Sequence, residues 1–201
     1  MDKTSVIKKY NLTRKQIDLI DNYILKLTKS NQIHNLVGPS TLDVAWDRHI
    51  NDSLQLSEFI LKKNASIIDL GTGAGLPGVI LHIFGHTNIL LIDSKMKKIN
   101  FIKEFANEQN LEIKTIGTRV EKIKNQKFDF IICQAFAPLV KLLDYSRFFT
   151  KKNTSLLFLK GRSVKKEIHD AKKSFSFEYN LYPSQSEGNG YVLKISKYKK
   201  L

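Results

Sequence analysis

The stretch IIDLGTGAGLPG, residues 67–78, limits what this 201-residue chain can fold into more than any other segment. A short apolar run carrying an aspartate is followed by glycines at 71, 73, 75 and 78, with Pro77 inside the group. Gly71, Gly73 and Gly75 can adopt positive φ and let a ligand lie against bare backbone, with no Cβ in the way. Leu76 and Pro77 then begin a helix, because proline's fixed φ and missing N–H suit a first helical turn. A glycine loop between a buried strand and a helix is the nucleotide-binding corner of a parallel α/β sheet.

The surrounding pattern agrees. Short apolar runs recur as SIIDL, NILLID, LEIKTI, FDFIIC, SLLFLK, FSFEYNLY and YVLKIS, which predicts seven strands. The first five alternate with helical segments, such as KMKKINFIKEFANEQN, where Met96, Ile99, Ile102 and Phe105 share one face. The last two have no helix between them and are expected to pair antiparallel. Upstream, Thr13 and Gln16 form a capping box, and Ile17, Ile20, Ile24 and Leu27 keep helical spacing to about Asn31. HNLVGPS breaks that helix, and a second is predicted from a Thr41 cap to about Lys62. The expected organisation is a helical extension over 1–63 packed on the sheet, and one α/β unit over 64–201.

The loop alone leaves the cofactor open, since Gly73, Gly75 and Gly78 also satisfy the dinucleotide pattern G-x-G-x-x-G. Asp69, just before the loop, would attract a sulfonium and repel a pyrophosphate, which favours S-adenosylmethionine over a nicotinamide cofactor. Asp93 ends the second strand, where a carboxylate accepts ribose hydroxyls in either class. The terminal strand pair also suits a methyltransferase sheet better than a plain doubly wound one. The predicted fold is therefore the α/β, Rossmann-like class I S-adenosylmethionine-dependent methyltransferase fold, a seven-stranded mixed sheet with an N-terminal helical extension.

Charge narrows the partner. Thirty-three Lys and Arg against 19 Asp and Glu leave a formal net charge of +14, which favours a polyanion, with nucleic acid first. The lysine-, asparagine- and isoleucine-rich usage of an AT-rich genome is the alternative source of that basicity. The single cysteine, Cys133, forms no internal disulfide and offers no zinc cluster, so no metal site is expected. No apolar run approaches the ~18 residues of a membrane span. A cytoplasmic monomer without membrane association is expected.

Enzymes that methylate exocyclic amines carry a proline-proline-aromatic loop after the fourth strand, where this chain reads CQAFAPL. Carbon-5 methylation of a pyrimidine needs a thiolate, and Cys133 lies at that strand end without the preceding proline, so it reads as a small strand-end residue. A nucleophile with a free lone pair, such as guanine N7, needs no general base.

NLVGPSTLDVAWDRHINDSL, DLGTGAGLPG, IDSKMKKINFIKEF, TRVE, FDFIICQAFAPL and LKG follow one another in an order and spacing that resembles the bacterial RsmG (GidB) family of small-subunit ribosomal RNA guanine-N7 methyltransferases. The resemblance spans about residues 30 to 162. It implies S-adenosylmethionine as methyl donor, with contacts from Gly71, Leu76, Val120, Glu121 and Gln134, and Glu121 accepting from the adenine amino group. It implies 16S ribosomal RNA or the small subunit as partner, with guanosine 527 of the 530 loop as target. With it, Arg48 becomes a candidate for a phosphate or guanine edge and His49 for a hydrogen bond near the base. Arg119 would stand beside the cofactor, Lys160 and Gly161 at the RNA-facing edge, and Trp46 in the core. The family reads arginine where this chain has Gln134, so a guanidinium gives way to a neutral amide, for which Lys141 or Arg147 could substitute. That departure sustains an alternative, a basic RNA-binding or assembly protein without catalysis; a nicotinamide oxidoreductase is the other.

Overall fold

A computed structural model describes residues 1–123 and 126–201 of the chain. Two helices open it, α1 (Lys3–Tyr10) and α2 (Arg14–His34). The Thr13–Gln16 capping box forms as the sequence predicts, with both reciprocal bonds present, and Asn35 in the left-handed region stops the helix.

The single helix expected from Thr41 to Lys62 is instead a chain of tight and wide turns. A 3-10 turn (Pro39–Thr41) precedes a π-helix (Trp46–Asn51), one α-turn, α3 (Asp52–Leu54), and a second 3-10 segment (Gln55–Phe59). Polar side chains that bond the local backbone disturb the α-helical ladder. The Ser53 hydroxyl donates to the His49 carbonyl and the Ser57 hydroxyl to that of Leu54, each at 2.6 Å. The wide turn also brings Asp47, Arg48, Asn51 and Asp52 round to one loop, residues 184–188. The Glu187 N–H donates to Asp47 (2.8 Å), Asn51 donates to the Gln185 carbonyl (2.9 Å), and Arg48 donates to the Glu187 carbonyl.

The seven strands are β1 (Ile67–Leu70), β2 (Ile89–Asp93), β3 (Lys114–Gly117), β4 (Phe130–Gln134), β5 (Ser155–Lys160), β6 (Phe175–Pro183) and β7 (Tyr191–Lys200), in the order β3-β2-β1-β4-β5-β7-β6. The first five pair in parallel, and β7 inserts antiparallel between β5 and β6. Helices α4 (Gly78–Phe84), α5 (Met96–Glu108), α6 (Leu139–Ser146) and α7 (Val164–Ala171) follow β1, β2, β4 and β5, whereas between β3 and β4 the described residues form only a 3-10 turn (Val120–Lys122) in place of the expected helical segment. β1 lies between β2 and β4, so the reversal of strand order puts the glycine loop over a crevice at the carboxyl ends.

Both sheet faces are covered. Ile68, Leu70, Ile131 and Phe158 pack with residues of α6 and α7, while Ile67, Ile132 and Leu157 share a cluster with α4, α5 and the N-terminal residues Val6, Ile20, Leu27, Ile50 and Leu54. The N-terminal segment thus completes one face of the sheet's own core. Trp46 is partly buried against that cluster, with the Lys3 ammonium 5.2 Å from its ring centre. No described helix is long and apolar enough to cross a membrane.

Tyr23 carries this packing to the glycine loop. Its ring meets Phe101 and Phe105 edge-on, with centroids 6.1 and 5.3 Å away, and its buried hydroxyl donates to the Ala74 carbonyl at 3.0 Å. Tyr23→Phe keeps the ring and strands that carbonyl, so chemical denaturation should show a loss of about 1–3 kcal/mol.

Candidate active site at the glycine loop

Gly71, Gly73 and Gly75 all take positive φ, at +68°, +61° and +97°. A Cβ at Gly71 would overlap the Phe136 ring, one at Gly75 would overlap Val79, and one at Gly78 would stand 2.8 Å from the Asp69 carboxylate. Gly73 differs, because its nearest neighbour would be the Lys98 ammonium at 3.5 Å. The first three serve internal packing, whereas Gly73 leaves bare backbone facing open space, a cradle suited to a cofactor.

Two carboxylates hold the loop. Asp69 is fully buried, and its Oδ2 accepts from the Thr72 hydroxyl (2.6 Å) and the Gly78 N–H (3.0 Å). Its Oδ1 has no partner among the described residues. Burial pushes the carboxyl up to about 7 against the pull of those two donors, and nearby Asp93 adds to the rise. Asp69, expected from sequence to face a sulfonium, lies under the loop as a strut instead, because its strand position points into the helix-covered core. Asp93 accepts from the Gly73 N–H (3.0 Å) through Oδ2 and from the Lys95 N–H (2.8 Å) through Oδ1, with the Lys98 ammonium 3.9 Å away.

Two clefts meet at Gly71. One, of about 240 Å³, is lined by Asp93, Arg119, Val120, Glu121, Lys141 and Tyr145. There the Glu121 carboxyl is held below its usual range by its own N–H, by the Tyr145 hydroxyl and by the charges of Arg119 and Lys141. The other, of about 250 Å³, runs past Gly73, Leu76, Lys98, Gly38, His49 and Gln134. A third and larger cavity, about 650 Å³, extends from Arg48 and Asp52 to Lys160, Gly188 and Tyr191. It shares Gln134 and Ala135 with the second cleft and Phe136 and Ala137 with the first. The candidate cofactor and substrate residues line this system except Asp69, which lies beneath it; Trp46, Cys133 and Arg147 line none of the three spaces.

His49 and Arg48 part company. Arg48 lines the large cavity, while His49 lines the cleft beside Gly73, its Nε2 2.8 Å from the Thr41 hydroxyl and its buried Nδ1 without a partner among the described residues. Burial, with Arg48 adjacent, lowers the imidazole to about 4 and keeps it neutral.

The turn after β4 joins the three spaces. Gln134 donates to Asp52 Oδ2 at 2.9 Å, while Asp52 Oδ1 accepts from Gln55 (2.6 Å) and from the hydroxyls of Ser184 and Ser186 (2.9 Å each). Burial raises the Asp52 carboxyl, offset by Ser184, Ser186, Arg48 and Gln55. Ala135 follows at a φ of +50°, a costly conformation for a residue with a Cβ, and sets Phe136 over Gly71 and beside Tyr145, with centroids 5.9 Å apart. Lys160 donates to the Ala137 carbonyl (3.0 Å) and pairs with Glu167 (2.7 Å), which also receives the Leu139 N–H (2.9 Å). Lys160 thus braces this turn rather than standing free for RNA. Cys133 is buried, and burial raises its thiol far from ionisation, so it is no nucleophile. Of the two basic residues that could stand in for the family arginine, Lys141 lines the first cleft, 5.6 Å from the Tyr145 ring centre, and Arg147 pairs with Asp144 at 3.4 Å. Asp52, Phe136 and Tyr145 escaped the sequence reading. The only trace of Asp52 was its place one helical turn after Arg48 in DRHINDS.

The family model described as rRNA small subunit methyltransferase G, or GidB, matches residues 16–188. The chain belongs to the GidB family. The ribosomal RNA small subunit methyltransferase G of Orientia tsutsugamushi (strain Ikeda) is 37% identical over 186 residues, covering 92% of this chain and 93% of the relative. That of Rickettsia prowazekii (strain Madrid E) is 36% identical over 186 residues, covering 92% and 95%. Among solved structures, an S-adenosylmethionine-dependent methyltransferase from Aquifex aeolicus shares the fold at a TM-score of 0.62, with 19% identity over 83% of this chain and 98% of that one. A ribosomal protein L11 methylase from Lactobacillus delbrueckii gives 0.59, with 21% identity over 73% and 76%. The mixed seven-stranded methyltransferase fold is as predicted, and the GidB glycine loop rests on a strut that titrates. Asp69 has a folded-state pKa above its ordinary 3.8, so its contribution to stability is complete below pH 3.8 and is lost as pH rises through about 7. The stability of wild type relative to Asp69→Asn should fall by about 1.4 kcal/mol per pH unit across that window, read by denaturant titration.

Proposed function

We propose that this GidB-family chain transfers the methyl group of S-adenosylmethionine to N7 of a guanosine in small-subunit ribosomal RNA, guanosine 527 of the 530 loop. The observation that carries this reading is the large cavity opening onto the glycine-loop clefts at Gln134, Ala135 and Phe136, where a base and a methyl donor would meet. S-adenosylmethionine, when bound, supplies an electrophilic methyl group on sulfur. Gly73 offers bare backbone, Asp93 would accept the ribose hydroxyls, and Glu121 the adenine amino group. Val120 and Leu76 give apolar wall, and Phe136 closes the cleft over Gly71.

The reacting atom follows from what the site lacks a use for. Carbon-5 chemistry is unsupported because Cys133 is buried as a thiol, and amine chemistry because the turn after β4 reads QAFAP. N7 already carries an in-plane lone pair, so the chain has only to hold the base in line with the methyl group. The net charge of +14 suits an RNA partner.

Small-subunit RNA from cells lacking this protein, incubated with the enzyme and S-adenosylmethionine, should gain one borohydride- and aniline-sensitive strand break, at a guanosine of the 530 loop. A methyl group recovered on a cytosine carbon or an exocyclic amine would overturn the assignment. In the same system Asp93→Ala should weaken S-adenosylhomocysteine binding by about 10- to 100-fold in calorimetry, through lost charge-assisted hydrogen bonds. RNA affinity should fall steeply with salt while affinity for S-adenosylhomocysteine changes little.

A further inference from the structure

Adenine and guanine both carry N7, so an enzyme that methylates guanine N7 must tell the purines apart at another edge. Guanine presents an acceptor at O6 and a donor at N1, whereas adenine presents a donor at N6 and an acceptor at N1. A protein site complementary to guanine needs a donor beside an acceptor.

The large cavity holds such a pair. Arg48 and Asp52 lie one helical turn apart and both line it. Asp52 is fixed by four donors: Oδ1 takes Gln55, Ser184 and Ser186, and Oδ2 takes only Gln134. One acceptor position on Oδ2 is thus unused by the described residues. Arg48 spends one N–H on the Glu187 carbonyl and makes no ion pair among the described residues, which leaves donors on a guanidinium fork already held in place. Phe136 and Tyr191 line the same space and offer rings for stacking.

We propose that this cavity receives the extruded target base and that Arg48 and Asp52 read it as guanine, Arg48 donating to O6 and Asp52 Oδ2 accepting from N1–H. The assignment rests on the methyltransferase reading above and names how that site selects its base. Gln134 gains a role from it. Its amide holds Asp52 in place without adding a charge beside it.

The amide also makes the test clean. In Asp52→Asn the new side-chain oxygen can keep the bonds from Gln55, Ser184 and Ser186. Gln134 can turn its amide over to accept from the new NH₂, whose second hydrogen then points into the cavity as a donor. The acceptor that matched guanine N1–H becomes a donor that matches adenine N1.

Single-turnover methyl transfer is measured on small-subunit RNA carrying guanosine, inosine, adenosine or 2-aminopurine riboside at the target position. Wild type should methylate guanosine and inosine within about tenfold of each other, because both keep O6 and N1–H, and reject adenosine and 2-aminopurine by at least about 100-fold. Asp52→Asn should slow guanosine by at least about 30-fold and raise the adenosine-to-guanosine ratio at least about tenfold, with S-adenosylhomocysteine affinity held within about threefold. Equal loss on guanosine and adenosine would reduce Asp52 to a structural hub and overturn the proposal. Should Asp52→Asn not fold, the wild-type arms decide: 2-aminopurine or adenosine reacting as fast as guanosine overturns base reading by this pair. Wild type that methylates guanosine N7 without discrimination defeats this inference alone, while wild type that leaves guanosine N7 unmethylated defeats the functional assignment as well.

Discussion

A loop with almost no side chains cannot hold its own shape, and the site depends on what holds it. Between Leu70 and α4 the backbone runs through three glycines at positive φ, and glycine loses more backbone entropy on ordering than any other residue. Asp69 ties the loop's two ends by accepting from Thr72 and Gly78, Asp93 takes the Gly73 N–H, and Tyr23 takes the Ala74 carbonyl from the far side. The bonds of Asp69 and Tyr23 are buried, where each is worth more than on the surface, while that of Asp93 is part-buried at the cleft. Asp69 bears the cost: its Oδ1 has no partner among the described residues, and burial pushes its carboxyl up to about 7.

The second anchor lies on the other side of the β4 turn. The π-turn at Trp46–Asn51 breaks the helical phase and brings four consecutive or nearly consecutive polar side chains to the loop before β7. Asp52 then joins three pieces of chain that are far apart in sequence: the N-terminal segment, the end of β4, and residues 184–186. Lys160 and Glu167 brace the following residues from β5 and α7. The strained Ala135 and the exposed Phe136 sit between these two braces, so the turn between the glycine-loop clefts and the large cavity is held from both ends. A site for in-line transfer asks for such rigidity, since its main work is alignment.

Much of this was legible in the residues themselves. The seven strands, the parallel order with a terminal antiparallel pair, the glycine loop and the Thr13 cap all follow from local rules: buried runs, period-3.6 faces, and residues that alone tolerate a given φ. The family resemblance in RHINDS and GTGAGLPG located the same crevice. Sequence reasoning erred where a side chain had to be assigned a direction. Asp69 is expected to face the ligand and Lys160 to face RNA, and the fold sends the first under the loop and the second into an ion pair.

Periodicity and glycine placement determined which elements form and where the backbone comes bare, because those depend on φ, on Cβ and on one buried face at a time. Tertiary structure alone decided which polar groups far apart in sequence meet. Asp52 reaches Gln134 and Ser186 across sequence separations of 82 and 134 residues, and whether its carboxylate ends up paired, buried or facing a cavity is fixed by the geometry of three elements at once, which no local pattern encodes.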